Sequence, residues 1–211
     1  MLFRDRVDAG RQLADRLKQY ANQAEVIVLG LPRGGVVTAA AVAKALKLPL
    51  DIIVPRKIGA PGNPEFAIGA VGETGEVILD ERVVKLFDIP AAYIESVATA
   101  ERAEAERRLR VYRANLPPRE LKDKTAILVD DGVATGATMR AAVRSVEAQG
   151  AKKIIVATPV IAADTLALLE READAVVYVE APADFGAVGR FYEKFDQTSD
   201  EEVVALLKPI I

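Results

Sequence analysis

With 211 residues, 51% of them apolar and 28% charged, the chain has an ordinary globular composition and is long enough to bury about 70% of its unfolded surface without staples. It contains no Cys and no His, which excludes disulfides, thiolate nucleophiles, Cys-based zinc sites, the Ser-His-Asp triad, HExxH metal sites and imidazole acid–base catalysis. A net charge of −3, from 28 Lys and Arg against 31 Asp and Glu, points to neither a nucleic-acid binder nor a membrane binder. Acid–base chemistry must then come from Asp, Glu, Lys, Tyr or the substrate, and any metal must be a hard, oxygen-liking ion such as Mg²⁺. The start is charged at Arg4, Asp5 and Arg6, so no signal peptide is expected. No run approaches the roughly 18 apolar residues of a membrane span. A cytoplasmic location fits the lack of Cys.

Phe3, Val7, Gly10, Leu13, Ala14, Leu17 and Tyr20 recur at helical spacing and predict an opening amphipathic helix. Glu25 to Gly30 reads as a buried strand, Leu31 to Gly35 as a turn, Val36 to Lys47 as a helix and Leu50 to Pro55 as a second strand. Such a βαβ unit implies a parallel sheet. Residues 56–75 hold Gly59, Pro61, Gly62, Pro64, Gly69, Gly72 and Gly75 and read as a long functional loop, within which 66–71 and 76–79 could pair as a hairpin. A long helix follows over 90–116, with Pro90 near its first turn and Ile94, Val97, Ala98, Ala105, Leu109, Tyr112 and Leu116 as its apolar stripe. Its face from Glu101 to Arg113 reads as solvated and self-paired, or else as turned toward a partner subunit or an anionic substrate. Strands at 125–131, 154–158 and 175–179 alternate with helices at 137–149 and 164–171. An irregular aromatic stretch covers 180–197, and a capping box from Thr198 to Glu201 opens the last helix. The expected architecture is a single α/β domain over 1–211 with no repeats: a parallel twisted sheet flanked by helices, with its core over about 25–179.

The segment richest in chemistry is Ile127-Leu-Val-Asp-Asp-Gly-Val-Ala-Thr-Gly-Ala-Thr138. An apolar strand delivers two adjacent acids at its C-terminal end, where open α/β sheets bind ligands. A short loop with glycines and hydroxyls then enters a helix, whose unpaired amides and dipole suit a phosphate. The acids repel phosphate and suit sugar hydroxyls or a hydrated Mg²⁺. The segment therefore asks for a sugar that carries both a phosphate and unmodified hydroxyls.

This segment resembles the PRPP-binding motif of type I phosphoribosyltransferases, and the resemblance extends over about 25–197. It implies that Asp130 and Asp131 contact the ribose hydroxyls and, through water, Mg²⁺. It implies that Ala134, Thr135, Gly136, Ala137 and Thr138 hold the 5′-phosphate, and that Arg33, Gly34 and Gly35 receive the pyrophosphate. Members of the family often carry a non-prolyl cis peptide at the place of Pro32–Arg33. Arg56, Lys57 and the Gly/Pro-rich stretch, about 56–80, resemble the mobile loop that closes over the site and keeps out water. The stretch 180–197 resembles the hood that holds the nucleobase, here through Phe185, Val188, Phe191 and Tyr192; plain core packing is the other reading of these side chains. Some purine enzymes of the family carry an acid before the Thr-Gly of the phosphate loop, and here that position is Ala134. Proton handling then falls to Glu65, Glu73, Lys57 or solvent, and Lys57 could equally stabilise the leaving pyrophosphate. Arg190 is the sole cation between 180 and 193, so the acceptor is not assigned. The resemblance implies transfer of 5-phosphoribose from PRPP to a nitrogen nucleophile, with a nucleobase as the expected acceptor and a homodimer as the expected assembly. The alternatives are a non-catalytic PRPP- or nucleotide-binding regulator and, more remotely, a phosphohydrolase.

Overall fold

The structure, a computed structural model, describes residues 2–72, 75–113 and 119–208, with residues 64 and 65 described by their backbone alone. In chain order the elements are α1 (Arg6–Arg16), β1 (Val26–Gly30), α2 (Gly34–Leu46), β2 (Leu50–Ile52), β3 (Arg56–Ala60), β4 (Asn63–Val71), β5 (Val77–Leu79), α3 (Glu81–Leu86), α4 (Ala91–Arg113), β6 (Thr125–Val129), α5 (Ala137–Ala148), β7 (Lys153–Val160), α6 (Ala163–Leu169), β8 (Ala175–Glu180) and α7 (Asp200–Leu207). Single 3₁₀ turns lie at Lys18–Tyr20 and Val188–Phe191.

Five strands form a parallel sheet in the order β2-β1-β6-β7-β8. Both of its faces are buried, which is why these strands read as continuous apolar runs rather than alternating ones. Ile27, Leu29, Leu128, Ile154 and Val156 pack with Met139, Val143 and Val146 of α5. The intervening residues Val26, Val28, Ile127, Val129 and Ile155 pack with Leu13 and Leu17 from α1 and its end and with Ala39, Val42 and Leu46 of α2. The two-residue period of a strand sends neighbours to opposite faces, so each helical layer receives half of every strand.

The stretch expected as a loop is a second sheet. β3, β4 and β5 form an antiparallel meander in that order, and the hairpin between 66–71 and 76–79 is present as β4 paired with β5. Its β-branched residues Ile58, Ile68 and Val71 are fully buried against Ile94 and Ala98 of α4 and Ile89 before it. The glycines that ruled out a helix do not rule out strands. Gly59 lies where the β3–β4 register shifts, and Gly62 takes a positive φ of 75° in the turn between them.

Helix α4 runs along this small sheet, and its expected solvated face is largely engaged. Arg113 is buried and pairs with buried Asp51 of β2 at 3.3 Å, while Arg102 donates to the Gly75 carbonyl at 2.8 Å. Glu104 does carry the expected helical pairs, to Arg107 and Arg108, both at 2.7 Å. Leu116 lies outside the described residues. Helix α3, N-capped by Asp80, was not foreseen, because it is only six residues long. The last helix is capped one residue later than expected: Ser199 Oγ accepts from the Glu202 amide and Glu202 accepts from the Ser199 amide, while Thr198 is buried.

Candidate active site

β1 and β6 are adjacent and in register, Gly30 opposite Val129, so the loops that follow them leave the sheet side by side. The Leu31 amide donates to the Val129 carbonyl at 2.9 Å and locks the two exits together. The β6 exit carries Asp130 and Asp131; the β1 exit carries Arg33, Gly34 and Gly35. Contact between the loops is so close that a Cβ on Gly34 would collide with Asp131 Oδ2, and one on Gly35 would lie 2.7 Å from Asp130 Oδ1. Glycine is required here for the approach of one loop to the other's carboxylates. The Pro32–Arg33 peptide is cis, as the resemblance implied. Burial, and then the negative charge of Asp131, hold the Asp130 carboxyl well above the ordinary carboxylate range.

The loop 133–138 is fixed at its base and open at its tip. The Val133 amide donates to the Val160 carbonyl, and its own carbonyl accepts from the Ala162 amide, both at 2.9 Å. Thr165 Oγ1 donates to the Ala134 carbonyl at 2.5 Å. Gly136 N-caps α5 at φ 74°, a left-handed conformation that a side chain would strain. Ala134, Thr135 and Thr138 are exposed around this helix start, whereas Ala137 is buried. The start of the 12-residue α5, with its unpaired amides and the exposed Thr135 and Thr138, thus follows the acids on the same strand exit.

A cavity of about 430 Å³ lies beside these loops, walled by Pro32, Arg56, Lys57, Glu101, Arg108 and Thr138. Arg56 is paired with Glu101 at 2.5 Å, and Tyr93, also in the wall, donates to the Gly59 carbonyl at 3.0 Å. The small sheet and α4 therefore bring Arg56, Lys57 and Arg108 to the wall of a cavity that Pro32 of the β1 exit also lines. Arg33 does not join it: its guanidinium lies 3.7 Å from Asp200, which also accepts from Tyr112 at 2.9 Å. Burial, and then that carboxylate, push the Tyr112 hydroxyl above its usual range. Glu73 and the side chain of Glu65 lie outside the described residues.

The aromatic stretch is mostly core. Phe185 and Tyr192 are buried in a cluster with Phe3, while Val188 and Phe191 are half-buried at its edge. Val188 presses on Gly132, next to the acids, and Tyr192 donates to the Asp131 carbonyl at 2.5 Å. Burial, and then the charge of Asp131, raise the Tyr192 hydroxyl far above its usual range. Of the four hood candidates, Val188 and Phe191 are thus the two with surface to offer a flat ring.

The sequence reading missed Arg6. Its Nε donates to Asp131 Oδ2 at 2.6 Å, its Nη1 donates to the Asp196 carbonyl at 2.7 Å, and its guanidinium lies 3.9 Å from the centre of the Phe195 ring. No local signal could have found a pair 125 positions apart; a charged residue opening a helix reads only as a helix start. Asp200 was equally hidden, as one of three acids in the first turn of α7.

Phosphate-loop geometry at the end of β6, two acids packed on the loop after β1, and helices on both faces of a parallel sheet define the class. The chain belongs to the phosphoribosyl transferase domain family, whose model matches residues 3–195, and its sheet is the type I phosphoribosyltransferase fold. It is 48% identical over 206 residues to proteins of two Mycobacterium tuberculosis strains, CDC 1551 / Oshkosh and H37Rv, each carrying a provisional phosphoribosyl transferase name. That match takes in 98% of this chain and 46% of theirs, so the chain spans about half the length of these relatives. The crystal structure of the protein TT1426 from Thermus thermophilus is similar throughout, with a TM-score of 0.90, 43% identity and 98% of each chain covered. The Aquifex aeolicus protein AQ2163 shares the fold alone, at a TM-score of 0.51 and 14% identity over 97% of this chain and 86% of that one.

Proposed function

We propose that the chain transfers 5-phosphoribose from PRPP to a nitrogen nucleophile, a nucleobase in the first instance, and releases pyrophosphate. One observation carries this reading: the carboxylates at the end of β6 rest directly on Gly34 and Gly35, and Pro32 of that same loop lines a cavity together with Thr138 from the start of α5. Sugar hydroxyls, a 5′-phosphate and a second anion can then be held at once by two adjacent strand exits and the helix start that follows one of them. In this reading Asp130 and Asp131 accept from the ribose hydroxyls, and Ala134 to Thr138 cradle the 5′-phosphate. The amides of Arg33, Gly34 and Gly35 take the pyrophosphate, and Val188 and Phe191 meet the base.

Bond cleavage at C1 builds positive charge on the ribose and negative charge on pyrophosphate. The acids sit near the first. Arg56 and Lys57, across the cavity, sit on the side of the second, so preorganised charge rather than a protein nucleophile lowers the barrier. Arg56 must exchange Glu101 for the anion, and Arg33 must exchange Asp200, when substrate arrives.

Among the described residues no three metal-ligating side chains come together. The donor set fits Mg²⁺ carried in on the substrate's phosphates, with one or two carboxylates reaching its water shell, rather than a caged ion. Such an ion, when bound, offsets the charge on the leaving pyrophosphate.

The test is pyrophosphate release from PRPP and Mg²⁺ with a panel of purine and pyrimidine bases. Turnover with one base supports the reading and names the acceptor. Tight PRPP binding without turnover across the panel would leave a PRPP-binding regulator.

A further inference from the structure

The charge that fixes Asp131 comes from the far N-terminal segment, which is itself stitched to the aromatic stretch. The Phe3 amide donates to the Phe191 carbonyl and the Glu193 amide to the Phe3 carbonyl, each at 2.8 Å, and the Lys194 amide donates to the Arg4 carbonyl at 3.0 Å. Asp5 then caps α1 by accepting from the Asp8 amide at 2.8 Å, so Arg6, the first helical residue, is set by two independent anchors. Its side chain is 12% exposed and that of Asp131 14%. A guanidinium held by a ring face, a carbonyl and a carboxylate has no spare freedom. It also lies beside Gly34, where an added Cβ would be 2.6 Å from Arg6 Nε.

We propose that Arg6 is a positioning residue of the ribose subsite: held by Phe195 and the Asp196 carbonyl, it fixes the Asp131 carboxylate in the orientation that accepts a sugar 2-hydroxyl. The site thereby selects ribose over 2-deoxyribose. The inference rests on the phosphoribosyltransferase reading above. One hydrogen bond from Arg6 uses one of about four lone-pair sites on the carboxylate, leaving capacity for a hydroxyl. Without the guanidinium, Asp131 would stand beside Asp130, against the loop glycines, with the anchor of its carboxylate gone, and would have to turn. A purely structural pair would tie α1 to the sheet without affecting which sugar binds.

The experiment compares binding of ribose 5-phosphate and 2-deoxyribose 5-phosphate to the full chain by calorimetry. Thermal melting of each variant is recorded alongside. The natural chain is expected to favour ribose 5-phosphate by about tenfold, the value of one hydrogen bond to a charged group. Arg6→Gln is expected to lose that preference while its affinity for 2-deoxyribose 5-phosphate stays within about twofold. Arg4→Gln, two residues away and exposed, is expected to change neither affinity. If Arg6→Gln does not fold, Phe195→Leu carries the test, since it removes the ring under the guanidinium while keeping an apolar side chain against Tyr192; a reduced preference is expected there. An unchanged preference in the folded variant, or an equal loss of both sugars, would overturn the role of Arg6 but leave the function standing. No affinity of the natural chain for either sugar phosphate would overturn the phosphoribosyltransferase reading, and this role with it.

Discussion

The five-stranded sheet carries two acids at the end of β6 and the three-stranded one carries Arg56 and Lys57 on β3, and the two hold their charge differently. Asp130 and Asp131 follow a central strand whose residues Ala126 to Val129 are fully buried, between helical layers on both faces. Arg56 and Lys57 lie on a smaller sheet with its own cluster, covered by α4 on one side and meeting α5 through the small residues Ala67 and Gly69. The two acids are thus built onto the main core, whereas the cations belong to a sheet with separate packing. Under the proposed function, the charge that stays in place during binding is on the deeply buried element and the charge that exchanges partners is on the less buried one.

The joint between the two bodies is the place to break this arrangement. Asp51 on β2 accepts from Arg113 at the end of α4 and from the Arg119 amide at 3.1 Å, and both partners of the ion pair are buried. Asp51→Ala removes this buried carboxylate from beside the Arg113 guanidinium. It is expected to cost about 3–5 kcal/mol, seen as a fall of about 10 °C in Tm. A loss under about 1 kcal/mol would mean that α4 is held by its apolar face alone.

Within the main sheet the two acids are expected to separate. Replacing both by Asn should lower PRPP affinity by about a hundredfold in a titration, as two hydrogen bonds to charged acceptors are lost. Their stabilities should move in opposite directions. Asp131→Asn removes the partner of Arg6 and should lower Tm. Asp130 has a raised folded pKa, so the folded state holds its proton more tightly than the unfolded chain, and stability falls as pH rises from about 4 through that pKa. Asp130→Asn should therefore raise Tm at pH 8 and lose that advantage at pH 3. Equal shifts for the two variants would show that burial does not distinguish them.

Hydrogen exchange sharpens the same contrast without mutation. Amides of β3, β4 and β5 should exchange faster than those of β6 and β7, and should gain protection when PRPP and Mg²⁺ are added. Equal protection of both sheets in the absence of ligand would show that the small sheet does not open as a separate body.

The smallest effect belongs to the surface of α4. Hydrogen bonds from Arg107 and then Arg108 hold the Glu104 carboxyl down at about 2. That contribution is complete above the ordinary glutamate range near 4.5 and is lost as pH falls toward 2. Solvent screening keeps it below about 1 kcal/mol, so Glu104→Gln should change the acid melting curve only slightly, and not at all in high salt.

The parts of the molecule that could be read from sequence are those whose cause is local. Continuous apolar runs such as Val26 to Leu29 and Ala126 to Val129 report a strand covered on both faces wherever it sits. The segment from Ile127 to Thr138 carries its own strand end, acids, turn and helix start, so its form is contained in its spacing. Other features had no such signature. Gly and Pro between 59 and 75 report only that a helix is impossible; whether the chain then loops or pairs depends on a surface for Ile58, Ile68 and Val71 to cover, and α4 supplies it. The acidic box before α7 has hydroxyls at both Thr198 and Ser199, and the choice of Ser199 follows the burial of Thr198.

By itself, then, the sequence determined the strands of the parallel sheet, the order of loop types around the cleft and the glycines on which the acids rest, because burial and backbone conformation are written in neighbouring residues. Only the tertiary structure decided that Asp131 meets Arg6, that Arg33 meets Asp200, that Arg56 meets Glu101 and that Arg113 meets Asp51. Periodicity states which side of an element is buried, but not what it is buried against. A charged side chain looks the same in sequence whether it ends in water or on a carboxylate more than a hundred residues away.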